Sequence, residues 1–202
     1  VSYNSIEENR SCRNLYISNL DGSDAHLATR SGKSISNARW SADGKKVVYL
    51  MGGQIYIAKL RKDGTLGKGK KVSDIAAGIG EFKLSPDQSQ VMFLSTVAGR
   101  VKTPGQIYPD LPKAEAYETE TMMYRHWDHW VEEIPHSFVG TFDWDKGLGN
   151  FFDILGSEGA EDGGVSPYEL PTEPFGGLEE LCWSPDGTRI AYSCRKKDGK
   201  DY

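Results

Sequence analysis

The sequence has no excess of positive charge and no long apolar run. Its 202 residues carry 24 Lys and Arg against 29 Asp and Glu, a formal net charge of -5. A chain without a basic field lacks the attraction that holds a phosphate backbone, so no nucleic-acid partner is expected. No stretch approaches the roughly 20 apolar residues that a membrane-spanning helix needs, so no membrane partner is expected either.

Cysteine is also scarce. The three cysteines, Cys12, Cys182 and Cys194, show no CxxC spacing. They are too few for a disulfide framework in a chain of this length, so we interpret them as buried small apolar residues.

Glycine, proline and aromatic residues are well represented. The 23 Gly and 9 Pro fall mostly in short clusters between apolar runs, and 11% of the residues are aromatic. Because such clusters mark turns and aromatic residues favour strands, the composition favours an all-β fold.

One internal repeat decides the fold. Each copy has a large apolar residue, a Ser-Pro-Asp-Gly-like turn and a returning apolar run, which is the pattern of a β-hairpin. The first two copies begin 44 residues apart, which is close to the roughly 40 to 50 residues of a four-stranded propeller blade. The copies align without gaps at 40–49, 84–93 and 183–192.

The rest of the chain completes the blades. Gln54 to Leu60 alternates like a strand, and Lys70 to Ser73 can form a short outer strand. The third copy starts 99 residues after the second, which requires two inserts. The fold class is therefore an all-β partial β-propeller of four-stranded antiparallel blades with a short helical insert. It is divided into an outer half-blade at 14–29, a blade at 35–73, a blade at 79–155 with a first insert at 96–135, a second insert at 156–176, and an inner half-blade at 178–194.

The hairpins and the outer strands resemble the propeller repeat shared by TolB-like periplasmic proteins and the prolyl-oligopeptidase family. More specific is Met123-Tyr-Arg-His-Trp-Asp-His-Trp130 in the first insert, preceded by Pro109-Asp-Leu-Pro112 and followed by His136-Ser-Phe-Val139. This segment resembles the propeller insert of bacterial dipeptidyl or acylaminoacyl peptidases of the prolyl-oligopeptidase family.

The resemblance implies a non-catalytic propeller that gates substrate access in a serine exopeptidase acting on short peptides. It implies a C-terminal α/β-hydrolase domain as partner, and a periplasmic or secreted protein. No G-x-S-x-G elbow occurs in these residues, so no catalytic residue is expected among them. The alternative is a TolB-like periplasmic binding propeller without an enzyme domain.

The first insert holds the candidate site. Met123, Trp127, Trp130, Val131 and Ile134 follow helical spacing, which predicts an amphipathic helix that ends at Pro135.

On this predicted helix, Glu132 and Glu133 are candidate substrate-binding residues. An exopeptidase must pair the α-ammonium of its substrate with carboxylates, because a buried cation without a counter-charge is costly. The segment Trp130-Val-Glu-Glu133 also resembles the glutamate pair of related dipeptidyl peptidases. There the helix follows the last strand of a blade, whereas here it interrupts a blade. The structural alternative is a solvated charged face.

We also considered a metal site at His126, His129, Glu133 and His136. The spacing suits metal ligation, but no HExxH motif or cysteine pair supports it. Asp143-Trp-Asp145 opens like a calcium loop but lacks the required glutamate at its twelfth position. We therefore predict no metal site and no cofactor.

Overall fold

The computed structural model describes residues 1–29, 31–99, 101–118, 125–126, 129–160, 163–173 and 175–196. Its regular elements are almost all strands. The one α-helix in the described residues, α1 (Pro104–Ile107), lies in the first insert, and a 3-10 helix covers Leu178–Glu180. The strands are β1 (Ser2–Ser5), β2 (Arg10–Arg13), β3 (Tyr16–Ile17), β4 (His26–Leu27), β5 (Ile35–Trp40), β6 (Lys46–Met51), β7 (Gln54–Lys59), β8 (Lys70–Lys71), β9 (Phe82–Leu84), β10 (Gln90–Ala98), β11 (Arg125–His126), β12 (His129–Trp130), β13 (Glu133–Asp143), β14 (Gly147–Asp153), β15 (Leu181–Trp183) and β16 (Ile190–Tyr192).

Two four-stranded antiparallel sheets dominate the fold. The first has the order β5-β6-β7-β8 and the second the order β14-β13-β10-β9. In the first sheet the strands are neighbours in chain order, and in the second the β11-β12 hairpin of the first insert separates β10 from β13, as in a propeller blade that carries an insert. The remaining sheets have two strands each. The predicted fold class, an all-β partial β-propeller, is confirmed, while its division at the bounds given above stays a prediction.

The repeated turn explains why these hairpins form. In the second copy, the Ser85 hydroxyl donates to Asp87 Oδ1 at 2.6 Å and accepts from Gln90 N–H at 3.0 Å. Ser85 N–H in turn donates to the Gln90 carbonyl at 2.9 Å. One serine side chain therefore fixes both ends of the turn. The same three bonds join Ser41, Asp43 and Lys46 in the first copy, and Ser184, Asp186 and Arg189 in the third.

Each hairpin begins as the repeat predicts. Trp40, Leu84 and Trp183 are the last residues of β5, β9 and β15. The predicted hairpins are therefore confirmed. The hairpin of β1 and β2 was not predicted, because the repeat is absent from that segment.

The chain divides into two compact units, Val1–Val91 with Gly140–Phe151, and Met92–Val139 with Phe152–Tyr202. Each unit has its own apolar core. The core of the first contains Ala28, Ile35, Val47, Tyr49, Ala58 and Leu66. The core of the second contains Met92, Val139, Leu155, Leu170, Leu178 and Leu181.

The helix predicted over Met123 to Ile134 is wrong for the described residues. Strand β11 pairs with β12, with Arg125 opposite Trp130, and Ile134 lies in β13. Histidine, tryptophan and valine form helices poorly, and tryptophan and valine favour strands, so pairing outweighs the helical spacing of the apolar residues. The predictions for Met123 and Trp127 lie outside the described residues.

The cysteine prediction holds only at Cys12. All three cysteines are free, but Cys194 is partly exposed and Cys182 is exposed. Cys182 pairs with Ala191 across the β15-β16 hairpin. Because side chains alternate between the two faces of a strand, its buried neighbour Leu181 takes the core face.

Candidate functional site

The candidate site lies where the first insert returns to the sheet. Gly99, just after β10, donates its N–H to the carbonyl of Glu132 at 2.7 Å. A Cβ at Gly99 would lie 2.7 Å from the carbonyl oxygen of Val131. Only glycine allows this close backbone approach, so Gly99 determines where Glu132 lies.

The side chain of Glu132 is held by an aromatic residue of the same insert. The hydroxyl of Tyr117 donates to Glu132 Oε1 at 2.6 Å. The Tyr117 ring stacks on Trp130, with ring centroids 4.3 Å apart and an interplanar angle of 9°. The hydrogen bond to the Glu132 carboxylate raises the pKa of the Tyr117 phenol above its ordinary value. The half-buried Glu132 carboxylate therefore lies beside a flat aromatic pair that fixes one of its oxygens.

Glu133 has a different partner. As the first residue of β13, it is exposed, and its Oε2 accepts a hydrogen bond from the hydroxyl of Thr96 in β10 at 2.5 Å. Successive side chains of an extended chain point to opposite faces. The structure thus gives the two carboxylates separate hydroxyl donors, Tyr117 and Thr96, rather than a shared one.

This arrangement can bind a cation. A carboxylate has about four lone-pair positions, and each hydroxyl occupies one of them. The remaining capacity suits an ammonium group, for which charge-assisted hydrogen bonds of about 2.7–2.9 Å are typical. Glu132 is the better placed of the two, because its carboxylate is half-buried whereas that of Glu133 is exposed, and partial burial strengthens electrostatic interactions.

His136, which the metal hypothesis included, is occupied elsewhere. It is fully buried, with Nδ1 2.6 Å from Asp153 Oδ2 and Nε2 3.1 Å from the carbonyl oxygen of Ser166. Because a carbonyl oxygen only accepts, Nε2 carries a proton and donates it. Neither ring nitrogen is therefore available to a metal or to a reacting group.

The Ser166–His136–Asp153 cluster accordingly lacks the geometry of a nucleophilic triad. In a triad the histidine faces a serine hydroxyl, whereas here it faces a main-chain carbonyl. Its effect is structural, since it fastens the second insert to β13. Across the described part of the chain, no group of three or more His, Cys, Asp or Glu could hold a metal ion, and no helix there is both long and apolar enough to span a bilayer.

Three residues of the site were missed by sequence reasoning, namely Thr96, Gly99 and Tyr117. Thr96 and Gly99 belong to the strand end that pairs with the segment around Glu132. Interpreting 131–134 as the start of a returning strand would have indicated both. Tyr117 lies in an irregular stretch, where the sequence offers no signal of what a side chain contacts.

The fold and the site together define a partial propeller with two fixed carboxylates in an insert. No protein-family model matches the sequence. Over its whole length the chain is similar to dipeptidyl-peptidase 5 of Porphyromonas gingivalis, with 37% identity over 204 residues, and to that of Porphyromonas endodontalis, with 31% identity over 207 residues. It spans 28% of the length of each of these relatives.

Among solved structures, the acylaminoacyl peptidase of Pyrococcus horikoshii matches 75% of this chain and 22% of its own, with 16% identity and a TM-score of 0.49. The full-length similarity to the Porphyromonas proteins confirms the resemblance to dipeptidyl peptidases that the insert motif indicated.

Proposed function

We propose that residues 1–202 form the gating part of a serine exopeptidase that removes dipeptides or acylated residues from short peptides. The observation that carries this proposal is the 37% identity to dipeptidyl-peptidase 5 of Porphyromonas gingivalis, which extends over the whole chain. At that similarity the blades and the first insert are expected to serve the same kind of enzyme.

The propeller would act by restricting access. Four-stranded blades are rigid because their inner strands are paired on both sides. A rigid wall beside an α/β-hydrolase domain admits thin, flexible peptides and excludes folded proteins. The hydrolase domain would supply the nucleophile, since these residues contain no G-x-S-x-G elbow. We place the enzyme in the periplasm or outside the cell.

Within this function, Glu132 and Glu133 would neutralise the α-ammonium group of the substrate. Support comes from the fixed carboxylate of Glu132, which Tyr117 orients at 2.6 Å. A preoriented carboxylate loses little side-chain entropy when the substrate amine arrives. Thr96 does the same for Glu133.

The test uses the full-length protein with Glu132→Gln and Glu133→Gln, each assayed on one peptide substrate with a free or an N-acetylated amine. A charge-assisted hydrogen bond is worth roughly 1.5 to 3 kcal/mol, so losing the carboxylate should lower kcat/KM for the free-amine substrate about tenfold or more. The acetylated substrate should be nearly unaffected. Glu115→Gln, an exposed change in the same insert, is the matched control and should leave both substrates unchanged.

Two results would contradict parts of this proposal. If the ratio of kcat/KM for the free-amine substrate to that for the acetylated substrate is unchanged in both variants, Glu132 and Glu133 do not bind the substrate amine and are only structural. A full-length protein that hydrolyses neither substrate, yet captures a protein ligand through its propeller, would instead support the TolB-like alternative.

A further inference from the structure

A pocket in the first unit is unusual in its charge. It has a volume of 440 Å³ and lies against the outer part of the β5-β6-β7-β8 sheet, beside the turn between β13 and β14. Its floor includes Ile57 and Val72, both buried. The polar and aromatic residues that line it are Lys46, Lys59, Lys68, Lys70, Trp144 and Asp145.

The charge of this lysine pocket is opposite to that of the chain. Four lysines and one aspartate line it, whereas the chain as a whole has a net charge of -5. Like charges gathered in a concave surface repel each other and raise the local positive potential. A concentration of this kind on an acidic protein is what an anion would neutralise.

Two of the lysines are held in place with donors to spare. Lys46 is only 18% exposed, and its Nζ donates to the carbonyl of Trp144 at 3.1 Å and to Asp145 Oδ1 at 2.6 Å. Lys70 Nζ donates to the carbonyl of Asp145 at 3.1 Å. An ammonium group has three donors, so Lys46 retains one and Lys70 retains two.

The other two lysines lack a competing partner. Within the ranges that the structure describes, the ammonium groups of Lys59 and Lys68 have neither a hydrogen-bond acceptor nor an ion-pair partner. Both residues are exposed. Their ammonium groups can therefore turn toward a ligand whose other side is held by Lys46 and Lys70.

We propose that the lysine pocket binds a compact multivalent oxyanion, such as a phosphate ester or a polycarboxylate. The size of the pocket suits a small molecule, and ammonium groups on several sides favour an anion with more than one charged group. Monovalent anions would not be retained, because a single exposed ion pair contributes little to binding in water.

The experiment titrates the full-length protein with pyrophosphate and, separately, with citrate by isothermal titration calorimetry, at ionic strength held constant with chloride. Lys68→Gln with Lys70→Gln is the test variant. Lys33→Gln with Lys62→Gln removes the same charge from exposed positions outside the pocket and is the matched control. We expect about tenfold weaker binding in the test variant and at most about twofold in the control.

The two anions separate the possible sources of the ligand. Binding of pyrophosphate alone indicates a phosphate ester, and binding of citrate alone indicates a polycarboxylate. Equal weakening in the two double variants would show that the anions respond only to net charge, and would overturn the proposal. Absence of binding by either anion up to about 10 mM would overturn it as well.

Discussion

The side-chain amide of Gln88 donates from Nε2 to the backbone carbonyl of Trp40 at 3.0 Å, which joins two successive copies of the repeated turn. Its Oε1 also accepts from the N–H of Ala42 at 2.9 Å. Gln88 has a φ of 61°, where the other copies have Gly44 and Gly187. A non-glycine residue in this left-handed conformation is strained, and its two hydrogen bonds offset the strain.

This relationship predicts the stability of two variants. Gln88→Ala should lower the free energy of unfolding by about 1 to 3 kcal/mol, because it loses both hydrogen bonds and keeps the strained φ. Gln88→Gly loses the same bonds but relieves the strain, so it should be about 1 kcal/mol more stable than the alanine variant. Urea unfolding of both variants measures the difference. Equal stabilities would show that the left-handed conformation costs nothing here.

Ser85, the serine of the second repeated turn, is expected to contribute to the free energy of unfolding because it is buried. Ser85→Ala should cost about 1 to 3 kcal/mol, because Ser85 is buried and its hydroxyl both donates to Asp87 and accepts from Gln90. Ser89→Ala is the control, since Ser89 is exposed and also donates to Asp87. Its cost should be smaller. If chemical denaturation ranks Ser89→Ala as the more damaging change, the turn is not organised by Ser85.

Asp87 predicts a loss of stability in acid. The hydrogen bonds donated by Ser85 and Ser89 lower the pKa of Asp87 from 3.8 to about 2. Because the folded pKa lies below the unfolded one, the folded state binds fewer protons in this range. The ionised Asp87 carboxylate therefore contributes to stability above pH 3.8, and this contribution is lost as the pH falls towards about 2.

Asp87→Asn tests this at constant salt. The variant should show a shallower decline in the urea midpoint over the same pH window, because the titrating group is gone. Parallel curves for the parent and the variant would contradict the assignment.

The contact between Tyr117 and Glu132 predicts a measurable titration. The pKa of Tyr117 is raised, first by its hydrogen bond to the Glu132 carboxylate, so its phenol should stay protonated to higher pH than an ordinary tyrosine. In Glu132→Gln this pKa should fall towards its ordinary value, whereas Glu115→Gln, which removes only a smaller through-space contribution, should leave most of the rise in place. NMR of ring-labelled tyrosine, assigned with Tyr117→Phe, gives the measurement. A Tyr117 titration unaffected by Glu132→Gln would remove the support for an oriented carboxylate.

The buried histidine predicts a larger effect. His136→Ala should destabilise the protein by about 3 to 5 kcal/mol, because it leaves a cavity and deprives Asp153 Oδ2 of its charged or hydrogen-bonding partner, while Oδ1 keeps the N–H of Leu155. Asp153→Asn keeps a group that can hydrogen-bond to the ring and should cost less. Equilibrium unfolding in urea compares them. If His136→Ala changes the free energy of unfolding by less than about 0.5 kcal/mol, as substitutions at ordinary surface positions do, the buried His136–Asp153 pair does not stabilise the protein.

The predictable part of the fold depends on hydrogen bonds between residues that are close together in the sequence. Ser85, Asp87 and Gln90 lie within six positions of each other, so their hydrogen bonds can be anticipated from the motif alone. The same turn chemistry is repeated at 41–46 and 184–189, which made the hairpins visible.

The site was less predictable because its causes are long-range. The pairing of Glu132 with Gly99 joins residues far apart in sequence, and a helical spacing of apolar residues around Trp130 gave the wrong local structure. Spacing reports which residues share a face only if the backbone conformation is already known. Glu132 and Glu133 were selected by their chemistry, and their partners Tyr117 and Thr96 became apparent only from the structure.

The first insert leaves the sheet after β10 and returns at β13, so the two strands are joined by a long connection whose length can change during evolution. The entropy of closing a loop grows only with the logarithm of its length, so doubling the segment costs about 0.6 kcal/mol. The turns that define the hairpins close within their own six residues and do not depend on it. The insert is therefore free to change in length and sequence between related proteins while the blade persists. New substrate selectivity can arise in this way without changes to the blade itself.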